Sequence, residues 1–513
     1  MGVPSFYKYI RNAYKERGIG LSDTCPNHVD RLYLDFNGII HTCKEDVLKE
    51  NGTEKDIQKA VLSYIEHMVL TINPKELLFI AIDGVAPRAK MEQQRKRRYK
   101  SCQDRALEPK KDKSEKSNWD TNAITPGTKF MANMDRELYE SKYLKELSNQ
   151  ITVIISNSTC PGEGEQKIYR HLRQTEDGVN VVHGLDADLF MLSILVHPHK
   201  IYLYREFDYK PTYVCVSQLI ECLKKHNKIW SPKDYVVLAF LMGNDFLPKH
   251  YSLNLRLNAL NTVLDEYEKI HNELSHDLVI DGNIQKDFLL KLLKNLSEQE
   301  DELVKERAET TVYKNLVRHG NSPEDRFHHW PDYHRDIEVK INFGNPGWRE
   351  RYYENIEASD SDISNMCKEY IDGLAWNLDY YTNTDPVKNC DQGWYYPYIH
   401  APLLTDLVGY LEENTINIPS SKKKYTSLEQ LAIVLPPQSR HLLPYSWRPL
   451  ISKNKTEYLW RFRLDPIGCT FRWECPPILP TFNEDFLKTL NQQRLTQFEI
   501  KRKKKHNEYM ITT

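Results

Sequence analysis

The 513-residue chain carries 70 basic and 72 acidic side chains, for a formal net charge of −2, and is 40% apolar and 11% aromatic. That length and apolar content support two to four domains, or one large core with a second region wrapped around it. Near-neutrality argues against a protein that coats polyanions indiscriminately, so any nucleic acid must be gripped by a local patch.

In chain order, MGVPSF begins like an N-myristoylation site but has Phe6 where Ser or Thr is needed. It also lacks the basic-then-apolar pattern of a secretory signal. RLYLDFN is the first expected strand and ends at Asp35, with His41 in the apolar turn beyond it. DIQKAVLSYIEHMVLTI has helical periodicity, and ELLFIAIDG is a second strand running to Asp83. PRAKMEQQRKRRYK, residues 87–100, follows at once as a basic helix, and residues 107–119 form a charged break expected to be a loop. TVIISNS is a third strand; PGEGE then places Glu163 and Glu165 between glycines ahead of the helix EQKIYRHLRQ. VNVVHGLDADLFML carries Asp186 and Asp188, KIYLYRE is a further strand, and FLMGNDFLP holds Asp245. Strands alternating with helices predict an α/β fold with a mostly parallel central sheet flanked by helices. In such sheets ligands bind at the carboxyl ends of the strands, where four of these frames put their acids.

Residues 276–346 read as a polar helical linker, and 347–500 as a second block of short helices rich in Trp, Tyr and Pro. The basic stretch within 501–513 reads most simply as a solvated tail, with nucleic-acid affinity or a nuclear signal as the second reading. No run approaches the roughly 20 apolar residues of a membrane span. The 10 cysteines form no CxxC pair, which fits reduced thiols in a cytosol-like compartment.

The chemistry lies in seven carboxylates: Asp35, Asp83, Glu163, Glu165, Asp186, Asp188 and Asp245. An acid after a buried strand or in a tight glycine turn is costly to desolvate unless a cation or a donor compensates. Each has a bland reading: a lone DxD is most often a solvated turn, PGEGE a flexible acidic turn, and Asp245 a helix cap. Seven such accidents together are harder to accept than one divalent-metal site. If the DAD segment is extended, Asp186 and Asp188 point to the same side. Two hard cations need several shared oxygens to clamp the attacking and leaving oxygens of a phosphodiester.

On a helix at about 100° per residue, Lys90, Gln94, Arg97 and Arg98 fall in one stripe, with Arg95 and Lys96 to either side and Arg88 away from it. A solvated basic helix is the usual meaning of such a run. Its position beside Asp83 favours a socket for a terminal phosphate, which takes forked, charge-assisted donors. His41, Trp376 and Trp394 are candidates to stack on a base, although each residue type is more often structural.

These strings resemble the 5′→3′ exoribonuclease family of Xrn type. The likeness covers MGVPSFYKYI, LYLDFNGIIHTC, AIDGVAPRAKMEQQRKRR, WDTNAITPGTKFM, CPGEGEQKI, HGLDADLFML and LMGNDFLP, and resumes in EYIDGLAWNLDYY, GWYYPYIHAPLL, LEQLAIVLPPQSRHLLP and WECPPILP. The resemblance implies an N-terminal nuclease core over 1–275, of the PIN/FEN-like kind, with the second conserved helical region wrapped around it. It implies a pair of Mg²⁺ ions, with Mn²⁺ as a substitute, on the seven acids. It implies a 5′-phosphate pocket at Lys90, Gln94, Arg97 and Arg98, and a base stacked between His41 and a tryptophan. The family's SWxW pattern is reduced to Trp394 in CDQGWYYPY, which leaves the identity of that tryptophan open. The implied substrate is single-stranded RNA with a 5′-monophosphate, released as mononucleotides by a cytoplasmic, or second a nuclear, monomer; decapping or unwinding partners are not specified. The chain stops after the second block, as a compact member of the kind a large DNA virus would carry.

Three rivals stay open. DFNGI resembles the phosphatase motif DxDG of haloacid dehalogenases, but Asn37 replaces the second acid. A structure-specific flap-type DNA nuclease shares the two-metal logic but should show duplex-binding helices after Asp245. A non-catalytic RNA 5′-end-binding scaffold would have no need of the intact acids.

Overall fold

The computed structural model describes residue 6, residues 9–10, 21–22, 24–109, 119–184, 186–196, 199–207, 210–226, 231–310, 322–503 and 509–511. Most of the expected loop at 107–119, positions 1–5 of the N-terminal motif and positions 504–505 of the basic tail lie outside these. One sheet organises the molecule, from β1 (Leu21–Ser22), β2 (Arg31–Asp35), β3 (Leu77–Ala81), β4 (Thr152–Ser156), β5 (Val179–His183), β6 (Lys200–Phe207), β7 (Lys210–Cys215) and β8 (Tyr509–Ile511). Their order is β1-β7-β6-β5-β2-β3-β4-β8. The five central strands, β6 to β4 across the sheet, are parallel; β7, β1 and β8 add antiparallel margins.

Both faces of the central strands are apolar, as a sheet covered on both sides requires. Along β3, Leu78 and Ile80 enter one core and Leu77, Phe79 and Ala81 the other. The first core is closed by α1 (Phe36–Lys49) and α2 (Glu54–Ile72), through Ile39, Ile40, Val61, Ile65 and Met68. The strand after α2 leads into α3 (Arg88–Leu107), and α4 (Lys129–Glu140) returns to the same face with Met131, Met134 and Leu138. The opposite face is covered by α5 (Gly164–Leu172), α6 (Asp188–Leu195) and α7 (Pro232–Phe240).

That second core does not stop at residue 275. It continues through α8 (Ala259–Leu274), α9 (Lys286–Glu298), α10 (Asp360–Thr382) and α11 (Leu404–Glu413). In residues 276–346, expected as a linker, the described part includes α9, which buries Phe288, Leu289, Leu292, Leu293 and Leu296 fully. A one-sided stripe at that spacing is a core helix rather than a connection. The basic tail is likewise corrected in part: α13 follows α12 (Ser427–Val434) in our numbering and spans Gln497–Lys503, and β8 pairs Met510 with Ile154 on the sheet edge. An edge strand that finds a partner leaves no unpaired ladder in solvent.

The basic helix α3 is held by polar contacts as well as by the buried Ala89, Met91 and Tyr99. Arg88, Gln94, Arg95, Arg98 and Lys100 are all buried along it, which is costly unless each finds donors or acceptors. The second region supplies them. Arg95 donates to the carbonyls of Glu457 (2.9 Å) and Pro480 (2.8 Å), and Lys100 to that of Cys475 (2.8 Å). Arg88 pairs with Glu92 at 2.9 Å and Glu484 at 3.6 Å and lies 4.1 Å from the Tyr395 ring, the structural part expected of it.

Candidate active site

The acids gather where the sheet changes direction. β2, β3 and β4 run outward to one side, while β5 lies on the other side of β2. Asp35 is the last residue of β2, Asp83 follows β3 by two positions, and Asp186 and Asp188 follow β5. Glu163 caps α5 and Glu165 is in its first turn. The expectation of an extended DAD segment is corrected: Ala187 is already helical and Asp188 opens α6. The carboxylate therefore comes in on a helix's first turn, where the macrodipole favours negative charge.

Glycines make the convergence possible. A Cβ on Gly84 would stand 1.7 Å from the carbonyl of Cys160, so the loops after β3 and β4 can cross only without it. Their backbones pair there, Gly84 N donating to the Gly162 carbonyl at 2.8 Å and Gly162 N to that of Val85 at 2.8 Å. Gly162 itself sits at φ 104°, open to glycine alone at low cost. A Cβ on Gly164 would meet Asp35 Oδ1 at 2.7 Å and the Ala81 carbonyl at 2.9 Å. Gly164→Ala should therefore push the acids apart and lower the cleavage rate about 100-fold, the cost of misplacing groups by an ångström. Initial rates read beside the thermal midpoint would check this; an unchanged rate would refute the close packing.

Asp83 is fully engaged: Oδ1 accepts from Gly164 N at 2.7 Å and Oδ2 from Asn37 Nδ2 at 2.9 Å. At the centre lies Lys90 of α3, whose Nζ is 2.6 Å from Glu163, 3.0 Å from Asp245 and 3.9 Å from Glu165. Burial opposes its charge, but those carboxylates outweigh burial and hold its pKa well above the ordinary lysine value. Burial, followed by Asp83 and Asp186, raises Asp35 well above the carboxylate range. Burial also lifts Glu165 well above it and Asp188 to about 6, the latter aided by Asp245. Among the described residues no three acidic, histidine or cysteine side chains already converge as a metal site. Among the described residues it is the Lys90 ammonium that stands among these acids.

The donor set still fits divalent cations. It consists of hard oxygens, and the buried Asp188 Oδ1 has no hydrogen-bond partner among the described residues. An orphaned buried carboxylate oxygen is unfavourable on its own and is what an arriving cation would satisfy.

The remaining stripe residues leave the acids along α3. Gln94 is buried, its amide oxygen 3.4 Å from the Gln430 amide of α12, and Gln430 in turn accepts from Ala86 N at 3.0 Å. Arg98 is buried and donates to Thr125 Oγ1, and burial together with Arg97 holds it down at about 9. Arg97 is exposed. Among the described residues neither arginine has a carboxylate partner in an ion pair, so the stripe lacks an anion. His41 presents an exposed position on α1. Loss of hydration on its inner side, then Lys44, Arg97 and Arg98, lowers it to about 4, so the ring is neutral at physiological pH.

The stacking expectation for Trp376 and Trp394 is corrected. Trp376 is 0% exposed, donates from Nε1 to the Asp391 carbonyl at 2.8 Å, and stacks on Tyr380 at 4.9 Å. Trp394 is buried with Nε1 on Glu369 at 2.9 Å. A base could reach neither ring, because both are packed inside the core. Tryptophan's local sequence does not distinguish these fates.

Sequence reasoning also missed the supports. Tyr380 OH donates to Glu163 Oε1 at 2.7 Å, and burial, then Asp188, raises the Tyr381 phenol well above its ordinary value. Lys167 donates to the carbonyls of Ile82 and Asn157, tying the two acid-bearing loops together. Paired tyrosines at the end of a long helix were the available signal, but nothing local said what they faced.

Comparison with known proteins agrees with this geometry. A model of the XRN 5′-3′ exonuclease N-terminus matches residues 1–207, and one of the Xrn1 helical domain matches 231–329 and 329–513. The chain is similar to the 5′-3′ exoribonuclease 2 homolog of Drosophila melanogaster, 26% identical over 99% of this chain and 73% of that protein. It is 27% identical to 5′-3′ exoribonuclease 2 of Gallus gallus, over 95% of this chain and 69% of that protein. With 5′-3′ exoribonuclease 1 of Saccharomyces cerevisiae the figures are 26%, 94% and 42%. Among solved structures the catalytic core of Rad2 in complex with DNA substrate is similar at TM-score 0.37 and 15% identity, over 80% of this chain and 95% of that one, too distant to build on.

Proposed function

The chain belongs to the XRN 5′-3′ exonuclease family, and on that premise we propose that it is a 5′-3′ exoribonuclease acting on single-stranded RNA with a 5′-monophosphate. It works as a monomer and releases mononucleotides. One observation carries the reading: Lys90 reaches from the cationic stripe to Glu163 at 2.6 Å and Asp245 at 3.0 Å. Acids and stripe are therefore one continuous site.

A pair of Mg²⁺ ions, or Mn²⁺ in their place, held by Asp35, Asp83, Glu163, Glu165, Asp186, Asp188 and Asp245, would supply an activated water and neutralise the leaving oxygen. The protein's own part is positioning. Arg97 and Arg98 offer forked donors to the terminal phosphate, and Gln94 adds an amide. Lys90 supplies fixed positive charge between that phosphate and the scissile bond. Neutral His41 offers a ring to the first base. Tyr380 and Tyr381 hold Glu163 and Asp188 in orientation from α10.

The socket sets the end requirement. Arg98 is closed in against Thr125 and Gln94 against Gln430; we infer that a socket bounded in this way accepts a single terminal phosphate and excludes a cap or triphosphate. An internal phosphodiester cannot present a terminal phosphate at all. All ten cysteines are free, and among the described residues no helix is long and apolar enough to cross a membrane. Both fit action in a reducing compartment, the cytoplasm first and the nucleus second.

Digestion of one RNA carrying a 5′-monophosphate, a 5′-triphosphate or a cap, with and without EDTA, tests this. Mononucleotides should come from the first alone, and none in EDTA. Comparable turnover of the triphosphate would overturn the socket, and digestion in EDTA would overturn the metal assignment.

A further inference from the structure

Helix α3 has a second lined face. A cavity of about 880 Å³ runs along Ala89, Glu92, Gln93, Lys96, Lys100 and their successors as far as Glu108, about 28 Å of helix at 1.5 Å per residue. Asp245 lines it at the active-site end and Trp473 at the other. The socket stripe and this face meet at Arg97, which belongs to both.

Two groups here, Gln93 and Lys96, have no role in the chemistry above, and they adjoin Arg97. Both polar atoms of the Gln93 side chain are buried and lack a hydrogen-bond partner among the described residues. Lys96, one turn on, forms no ion pair among the described residues and is lowered from its ordinary value by burial, against the pull of Glu92. Arg97 adds an exposed guanidinium. By contrast Lys100, farther along, is already committed to the carbonyls of Arg472 and Cys475, and Arg472 to Asp104. The open donors are thus concentrated next to Asp245. Tyr395 lines the wall nearby, and the Trp473 ring, 63% exposed, stands at the outer end.

An unsatisfied buried amide beside two unpaired cations suits an anion with polar substituents. Aromatic walls suit a flat base. The volume lies within the range of small-molecule sites and exceeds what one nucleotide needs.

We propose that this cavity binds the freshly released nucleoside 5′-monophosphate and leads it out along the face of α3 away from the socket. This rests on the exoribonuclease reading, which supplies the ligand. The phosphate is held by Gln93 and Lys96, and the base passes Tyr395 toward Trp473. Product leaves on one face of the helix while the shortened RNA enters on the other, so one need not be displaced for the other to move.

The test uses the full chain in EDTA, with the socket saturated by 5′-monophosphorylated RNA, and equilibrium dialysis of adenosine 5′-monophosphate. Binding is expected to persist in the presence of RNA and to weaken about tenfold or more in Lys96→Ala, the loss of one charge-assisted bond. Gln93→Glu, which sets a like charge against the phosphate, should act in the same direction should Lys96→Ala fail to fold. Affinity for the RNA end should be unchanged in both. Competition between RNA and the mononucleotide, or undiminished binding in both variants, would overturn the exit site. The parent reading fails on a different result, namely no mononucleotide release from 5′-monophosphorylated RNA by the unaltered protein.

Discussion

Asp188→Asn is expected to lower RNA cleavage by roughly three orders of magnitude while raising the thermal midpoint of the metal-free protein. The first effect follows from removing an anionic oxygen from the proposed cation site, where bound divalent ions would contribute several kcal/mol to the transition state, at about tenfold per 1.4 kcal/mol. The second follows from the carboxyl's raised value. Asp188 is held at about 6, by burial first and then by Asp245, above its value in an unfolded chain. Between about pH 4 and 6 the folded state therefore binds the extra proton. Its stability falls as pH rises through that window, and the penalty is fully present at pH 7. Asparagine carries no charge and avoids the penalty, on the order of 1–3 kcal/mol. Single-turnover cleavage in Mg²⁺ and a melt in EDTA at pH 7 and pH 4 read both effects. The gain in midpoint should disappear at the lower pH. A variant that cleaves normally, or that melts lower at pH 7, would remove Asp188 from the centre.

Arg98→Ala should reduce kcat/KM on 5′-monophosphorylated RNA about 100-fold or more. It should have little effect on the slow background cleavage of 5′-hydroxyl RNA. Arg98 is buried and, among the described residues, has Thr125 as its side-chain partner rather than a carboxylate. Its free donors are therefore available to a phosphate, at about 1.5–3 kcal/mol for each hydrogen bond to a charged group. Removing the guanidinium leaves Arg97 and Lys90 to hold the phosphate without the forked contact. Kinetics on the two RNAs separate this from general damage, because a misfolded protein would lose both activities together. Equal loss on both substrates would place Arg98 in the scaffold.

The parallel sheet was legible because each central strand is a short apolar run with both faces buried, as in LLFIA of β3. The acids were legible from their frames, and the stripe from helix angle. DAD was misjudged because apolar residues continue on both sides, so nothing marked the passage from strand β5 into helix α6. The stretch 276–346 was misjudged because averaging its charge hid the stripe of Leu289, Leu292, Leu293 and Leu296. Trp376 and Trp394 show a different limit. Whether a tryptophan meets solvent is decided by packing against distant segments, here Phe246 on Trp376 and Gly373 on Trp394. The same limit hid Gln430, which reaches Gln94 across 336 positions.

That long reach has a temporal consequence. All seven acids lie within the first 245 residues, yet Glu163 bonds Tyr380, the socket's Gln94 meets Gln430, and the helix that carries the socket is held through Arg95 by the carbonyls of Glu457 and Pro480. A growing polypeptide that has emerged only as far as the acids carries the reagents without the frame that aims them. Destructive capacity arrives only after the second region has followed the acids out of the ribosome.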